Sequence, residues 1–236
     1  YIKAKKRSKK VMNISFDEWN VWFHSVAADD TMMKNRPWQT APHLLEDIYT
    51  FEDAVMVGLM LITLLKHSDR IKVACLAQLV NVIAPIMTEN DGGAWKQTIY
   101  YPFLHASRYG RGSVLETILS TTKHDTIKHV DVTDVEAVAV YNEEKQEVTV
   151  FAVNRNVDSE IAFEADLRSF GTARVIEYLA MESEDKKLVN SIQAQNVKPF
   201  KKSSYTMDGC SFETMLKPAS WNVIRFQVVL NIVSTF

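Results

Sequence analysis

The spacing of apolar positions along the chain changes near residue 110. Before it, short apolar runs alternate with longer ones, which indicates strands alternating with helices. The predicted elements are a strand over 11–18 ("VMNISFDE"), a helix over 50–67, a strand over 70–78 ("RIKVACLAQ") and a helix over 94–110. This β-α-β-α order is typical of a parallel sheet covered by helices.

The first predicted helix carries local signals for its start and its environment. Thr50 is followed three residues later by Asp53, the spacing of a capping box. The apolar run from Ala54 to Leu65 is shorter than the about 20 residues that a membrane span needs, so a buried helix is expected. Between the first strand and this helix, Asp29, Asp30 and Pro37 predict a polar loop.

The helix predicted over 94–110 contains Pro102 and ends at Gly110, a residue that commonly terminates helices. Proline inside a helix either kinks it or marks its first turn. The sequence leaves both alternatives open.

After residue 110 the pattern becomes all-β. Several short segments alternate or run apolar over strand lengths, separated by turn residues such as Asn142, Asn154 and Gly171. They are "VEAVAVYN", "EVTVFAVN", "EIAFEADL", "ARVIEYLAM" and "ASWNVIRFQVV". Strands at this spacing predict an antiparallel β-sandwich. We therefore expect two domains, 1–110 and 111–236.

Two strand–helix units are too few to form a domain of their own. A (β/α)₈ barrel takes about 250 residues, far more than the stretch before the sandwich. The opening "YIKAKKRSKK" is typical of the basic end of a helix, although a nuclear-localisation or nucleic-acid patch has the same composition. We expect the chain to be part of something longer.

Composition narrows the class of protein only slightly. Apolar residues make up 47% of the 236 residues and the net charge is −2, which favours neither nucleic acid nor an acidic membrane surface as partner. Cys75 and Cys210 are too few for a disulfide framework and favour a reducing compartment.

The candidate chemistry lies where the two predicted strands end. The first ends at Asp17 and Glu18, directly before Trp19, and the second ends at Gln78. In barrel enzymes, functional side chains come from the carboxyl ends of several strands. Strict alternation sends adjacent carboxylates to opposite faces, so one of the two enters such a site. A solvated strand end is the simpler alternative, and spacing alone does not decide.

Three blocks of the chain resemble α-L-arabinofuranosidases of glycoside hydrolase family 51. They are "NISFDEWNVWFHS", "YTFEDAVMVGLMLITLLKHSDRIKVACLAQLVNVIAPIMT" and "YYPFLHASRYGRG", in that order. The resemblance implies a fold in which a (β/α)₈ barrel is followed by a jelly-roll-type β-sandwich. Residues 1–110 then hold barrel strands seven and eight, and residues 111–236 form the sandwich.

The resemblance also implies roles for individual residues. Glu18 is identified as the catalytic nucleophile, while Trp22 and Gln78 are identified as substrate-binding residues. Asp17 and Asn20 are implied as supporting residues behind them. Phe23, at a position where tyrosine is common in the family, is expected to be a mild change.

The implied reaction is retaining hydrolysis of terminal α-L-arabinofuranosyl residues in arabinan, arabinoxylan or their oligosaccharides. Such enzymes use two carboxyl groups, a nucleophile and an acid/base. The resemblance puts the acid/base before Tyr1, so it is absent from this chain. Neither a cofactor nor a metal is expected, because His24, His43 and His105 have no metal-ligand or triad spacing.

Two alternatives to an enzyme fragment stay open. One is a carbohydrate-binding sandwich, which needs exposed aromatic residues on one face; the other is a purely structural sandwich. Tyr141, Phe151, Phe163 and Tyr178 have spacings that favour a core. By resemblance, the parent is expected to be a homo-oligomeric, cytoplasmic bacterial protein. The nearly neutral net charge predicts that it binds neither nucleic acid nor membranes.

Overall fold

A computed structural model describes residues 12–23, 26–35, 38, 40, 42–90 and 92–229. The helix end predicted for "YIKAKKRSKK" and the loop residue Pro37 lie outside these ranges. Within them the chain is mostly β with few helices. The helices are α1 (Val26–Asn35), α2 (Phe51–Lys66) and α3 (Tyr100–Tyr109), with a 3-10 turn at Arg168–Phe170.

The described ranges contain fifteen strands. They are β1 (Ile14–Trp19), β2 (Ile71–Leu76), β3 (Ile86–Thr88), β4 (Ala94–Lys96), β5 (Ser113–Val114), β6 (Lys123–His124), β7 (Val132–Thr133), β8 (Val135–Asn142), β9 (Glu147–Asn154), β10 (Ile161–Asp166), β11 (Thr172–Met181), β12 (Phe200–Lys201), β13 (Tyr205–Asp208), β14 (Ser211–Leu216) and β15 (Ser220–Val229).

The first part of the chain forms a parallel strand pair joined through a helix. β1 pairs with β2 in parallel, and α2 lies between them in the chain. The predicted capping box is confirmed: the Asp53 backbone N–H is bonded to the Thr50 hydroxyl, and the Asp53 carboxylate accepts the Thr50 backbone N–H at 2.7 Å. The backbone N–H groups at the start of a helix have no carbonyl partner within the helix, and this capping box gives two of them a side-chain partner.

The second part of the chain consists of two antiparallel sheets with a shared apolar core. One sheet has the order β12-β11-β15-β9-β8-β5 and the other β10-β14-β13. Alternation along β9 and β14 turns every second side chain into this core, which includes Phe163, Tyr178 and Phe212. Phe151 is equally buried, on the other face, and Tyr141 packs against the core. The prediction of core aromatics is confirmed.

Helices α2 and α3 cover the outer face of the six-stranded sheet. Phe51, Ala54 and Ile62 of α2 share a buried cluster with Phe151 and Trp221. The approach is close: a Cβ placed on Gly58 would lie 2.5 Å from the Trp221 ring. The buried helix predicted for the apolar run is therefore confirmed, and within the described ranges no helix is long and apolar enough to cross a membrane.

Two sequence predictions are wrong in this region. The polar loop predicted around Asp29 is a helix, α1, whose alanine, methionine and lysine residues have high helix propensity. The helix predicted over 94–110 begins only at Tyr100, because Ala94–Lys96 pairs with β3 in a hairpin. Pro102 lies in the first turn of α3, where its missing N–H needs no partner.

Candidate active site

The paired carboxylates lie at an irregularity of β1. Phe16 pairs with Ala74 and Trp19 with Leu76, so β1 has one residue more than β2 over this step. Such a bulge interrupts the alternation of side chains and re-aims them. Asp17 and Glu18 are both exposed, and neither side chain makes a hydrogen bond or ion pair with the part of the chain that the structure describes. The prediction that Asp17 and Glu18 point to opposite faces assumed a regular strand, and the bulge means that this assumption does not hold here.

The residues after the carboxylates anchor the end of β1. Trp19 is 6% exposed and packs with Tyr49, Val57 and Leu61 under α2. A buried Trp19 fixes the backbone beside Glu18 on the helix side, which leaves the Glu18 side chain in the open. The bulge and this anchor together determine where the carboxylate lies.

Asn20 joins the ends of the two strands. Its Nδ2 donates to the carbonyl oxygens of Ala77 and Ile83, both at 2.6 Å, and its Oδ1 accepts the Val21 backbone N–H at 2.8 Å. The amide thus uses both donors and its acceptor on backbone groups. It brings the chain after β1 and the loop after β2, which contains Gln78, to the same end of the strand pair.

Gln78 itself lies two residues beyond the end of β2. Its side chain is exposed, and its backbone N–H donates to the Ile83 carbonyl at 3.2 Å. The preceding peptide bond, Ala77–Gln78, is cis. The two predicted strand ends therefore meet, as expected for parallel neighbours, and the side chains of Glu18 and Gln78 are both exposed.

Aromatic side chains border this strand end. Trp22 is 58% exposed and Phe23 is 52% exposed. The Phe23 ring contacts the buried Tyr49 ring edge-on, with centroids 5.7 Å apart. Burial raises the pKa of Tyr49, so its hydroxyl stays protonated and donates to the Val21 carbonyl at 3.2 Å. Tyr49 was not predicted as part of the site, because an aromatic residue before a helix carries no local signal of this contact.

His105 and His43 have partners other than the paired carboxylates. His105 is buried against the six-stranded sheet, where its Nδ1 accepts the Trp221 indole N–H at 3.0 Å. His43 is exposed and hydrogen-bonds Glu46, which raises the His43 pKa. His24 lies outside the described residues. Across the ranges described, no cluster of three or more His, Cys, Asp or Glu side chains has metal-binding geometry.

Comparison with known proteins assigns the chain to a family. The sequence profile of the "Alpha-L-arabinofuranosidase C-terminal domain" matches residues 17–220. The chain is 59% identical over 226 residues to an intracellular exo-alpha-(1->5)-L-arabinofuranosidase of Acetivibrio thermocellus, covering 95% of this chain and 45% of that protein. It is 53% identical over 225 residues to a protein of the same name from Halalkalibacterium halodurans, covering 95% and 44%.

Solved structures agree with this assignment. The fold matches a family 51 alpha-L-arabinofuranosidase from Bifidobacterium longum with a TM-score of 0.84 and 35% identity, over 95% of this chain and 44% of that one. The chain thus spans less than half the length of the relatives it matches. It belongs to glycoside hydrolase family 51 and contains the C-terminal domain of that family's α-L-arabinofuranosidases.

Proposed function

We propose that residues 1–236 are the C-terminal part of a retaining α-L-arabinofuranosidase. The observation that supports the proposal is the junction of the two strand ends beside Glu18 and Gln78: the Ala77 backbone N–H donates to the Trp19 carbonyl at 2.9 Å, and Asn20 bonds Ala77 and Ile83. The proposed substrates are terminal non-reducing α-L-arabinofuranosyl residues of arabinan, arabinoxylan or their oligosaccharides. The two relatives are named exo-alpha-(1->5)-L-arabinofuranosidases, which supports this substrate class.

The proposed domain arrangement follows from the same strands. Residues 1–110 are the last part of a (β/α)₈ barrel, with β1 and β2 as its strands seven and eight, and residues 111–236 are a jelly-roll-type sandwich. The parallel pairing of β1 with β2 and the helix between them support the barrel. The two antiparallel sheets around one core support the sandwich, whose buried aromatic residues favour a structural role over carbohydrate binding.

In the proposed mechanism, a Glu18 carboxylate oxygen attacks the anomeric carbon of the arabinofuranose. The glycosidic C–O bond breaks as the acid/base of the N-terminal half gives its proton to the leaving oxygen. Water, deprotonated by the same acid/base, then attacks the anomeric carbon and releases Glu18 from the glycosyl ester. Trp22 offers flat apolar surface to the sugar, Gln78 hydrogen-bonds a ring hydroxyl, and Asn20 holds the strand end. Asp17 is proposed as a supporting residue beside Glu18.

Glu18→Ala tests the nucleophile in the complete enzyme, where residues 1–236 follow an N-terminal half like that of the relatives. Loss of the covalent route is expected to remove nearly all turnover of an aryl α-L-arabinofuranoside while the circular dichroism spectrum stays unchanged. Azide is expected to restore part of the rate, because it fills the space of the missing carboxylate. Glu116→Ala, an equally exposed change elsewhere, is the matched control. Near-normal turnover of Glu18→Ala without azide would refute the assignment.

The remaining proposals concern the complete protein. A cytoplasmic bacterial location is supported by the word "intracellular" in the names of two relatives and by the unpaired Cys75 and Cys210. A homo-oligomer is proposed from the family resemblance and is checked by light scattering of the complete enzyme.

A further inference from the structure

Gln97 is a fully buried glutamine that the proposed mechanism does not use. Its Nε2 donates to the carbonyl oxygens of Asp47 and Ala84, both at 2.8 Å, and its Oε1 accepts the Tyr49 backbone N–H at 2.8 Å. One amide therefore joins the segment before α2 to the loop after β2. Buried amides cost free energy unless they are hydrogen-bonded, and these three bonds offset that cost here.

The loop held by Gln97 is the one that contains Gln78. Gln97 bonds Ala84 directly, and the Gln78 backbone N–H donates to the carbonyl of Ile83, the residue before Ala84. Asn20 donates to the same Ile83 carbonyl at 2.6 Å. The far side of this loop is therefore held by two amides, one from each neighbouring segment.

Gln97 also supports the same loop indirectly, through the segment before α2. The Asp47 carbonyl and the Tyr49 N–H that Gln97 binds fix this segment, and Leu45 within it accepts the Ile83 backbone N–H at 2.7 Å. The direct bond of Gln97 ends at Ala84 and the bond from the segment before α2 ends at Ile83, and these two residues close the loop. Ile83 has a positive φ of 41°, a strained conformation that surrounding contacts must hold.

We propose that Gln97 is a positioning residue for arabinofuranoside binding, which acts by holding the loop that presents Gln78. The inference rests on the proposed role of Gln78 at the substrate. The chemistry requires an amide: two carbonyl oxygens need N–H donors while one backbone N–H needs an acceptor. Methionine has similar length but no donor, and an ionised glutamate places oxygen against both carbonyls.

The kinetic test is a double-mutant cycle in the complete enzyme. Gln97→Met is expected to lower kcat/KM for an aryl α-L-arabinofuranoside about tenfold, mainly by raising KM, the loss expected for about one displaced hydrogen bond. In a Gln78→Ala background the same change is expected to lower it by about twofold at most, because interacting residues are not additive. Gln97→Glu, which removes the same donors and keeps the acceptor, repeats the test if the methionine variant does not fold.

Asn190→Leu is the matched control. Asn190 is an equally buried amide that donates to Lys96 and Val197 and accepts from Val197, with no bond to the loop of Gln78. Its loss is expected to lower stability while leaving KM unchanged. Equal KM effects of Asn190→Leu and Gln97→Met would reduce Gln97 to a structural residue and overturn the proposal.

Amide hydrogen exchange gives a readout independent of activity. In Gln97→Met the backbone amides of Gln78 and Ile83 are expected to exchange faster, and in Asn190→Leu they are not. Unchanged exchange, or a Gln97→Met effect that persists in full beside Gln78→Ala, overturns the positioning role alone. Unchanged kinetics of Gln78→Ala would instead overturn the substrate role of Gln78 and with it this inference.

Discussion

Acidification is expected to destabilise the fold through one buried histidine. His105 on α3 is 3% exposed, and its Nδ1 accepts the Trp221 indole N–H at 3.0 Å, so the ring must be neutral and protonated on Nε2. Burial lowers the His105 pKa from 6.5 to about 4, with nearby Arg108 acting in the same direction and Glu177 opposing it. Protonation would cost the acceptor of the Trp221 bond and place a charge under the sheet.

The magnitude follows from the two pKa values. The unfolded chain binds the proton near pH 6.5 and the folded chain only near 4, so the unfolded state holds more protons between these values. The free energy of unfolding is therefore unaffected by His105 above pH 6.5 and falls as the pH drops below it. At about 1.4 kcal/mol per unit, the loss is about 2 kcal/mol at pH ~5 and about 3 kcal/mol at pH ~4.

Urea unfolding of the chain at several pH values, followed by tryptophan fluorescence, measures this loss. His105→Gln keeps an acceptor for the Trp221 N–H but does not titrate, so the stability difference between wild type and variant should shift by about 2 kcal/mol between pH ~7.5 and ~5. His43→Gln, at an exposed histidine, is the matched control and should show little shift. A wild-type minus His105→Gln difference that is flat over this range would refute the reasoning.

Three further predictions concern the stability of helix α2 and the activity of residues 1–236 alone. Gly58→Ala places a Cβ 2.5 Å from the Trp221 ring, so overpacking of about 1–3 kcal/mol should exceed the about 1 kcal/mol gained in helix propensity; an unchanged urea midpoint would contradict this. Thr50→Ala removes the helix cap and should lower the free energy of unfolding by about 1 kcal/mol, whereas Thr63→Ala within the same helix should be close to neutral in the same assay. Residues 1–236 alone should not hydrolyse an aryl arabinofuranoside, because general acid catalysis of about 10²–10⁴-fold is missing; turnover that disappears on Glu18→Ala would place an acid/base within the chain.

Elements specified by neighbouring residues were predictable from the sequence. The cap of α2 depends on Thr50 and Asp53, three residues apart, and its buried face on one continuous apolar run. The main sandwich strands follow from apolar residues that alternate or run continuously over eight to ten residues, and β8 and β9 are nearly continuous runs because both of their faces are buried. In each case the signal lies within the element, because capping and side-chain periodicity are local properties of the backbone.

Elements that depend on distant partners were not predictable. Ala94–Lys96 pairs with β3 and is too short to show strand periodicity of its own, although the "DGG" directly before it is a turn signal. The short helix α1 has a weakly amphipathic sequence with two aspartates, a composition that also suits a loop. Such a weak local preference does not by itself separate a helix from a loop.

Some features of the candidate site were predictable from the sequence, and others depended on the tertiary structure. The strand predictions put Glu18 and Gln78 at the ends of two parallel strands. Because neighbouring parallel strands end on the same side of a sheet, these two ends were expected to lie together. The bulge that aims the carboxylates appears only when β1 is paired with β2, and Asn20 finds its acceptors 57 and 63 residues away in the chain. Gln97 likewise bonds Asp47 across 50 residues. An amide side chain carries no information about its partners until packing brings a carbonyl within hydrogen-bonding distance, so the sequence determined which groups were present and the tertiary structure decided which of them meet.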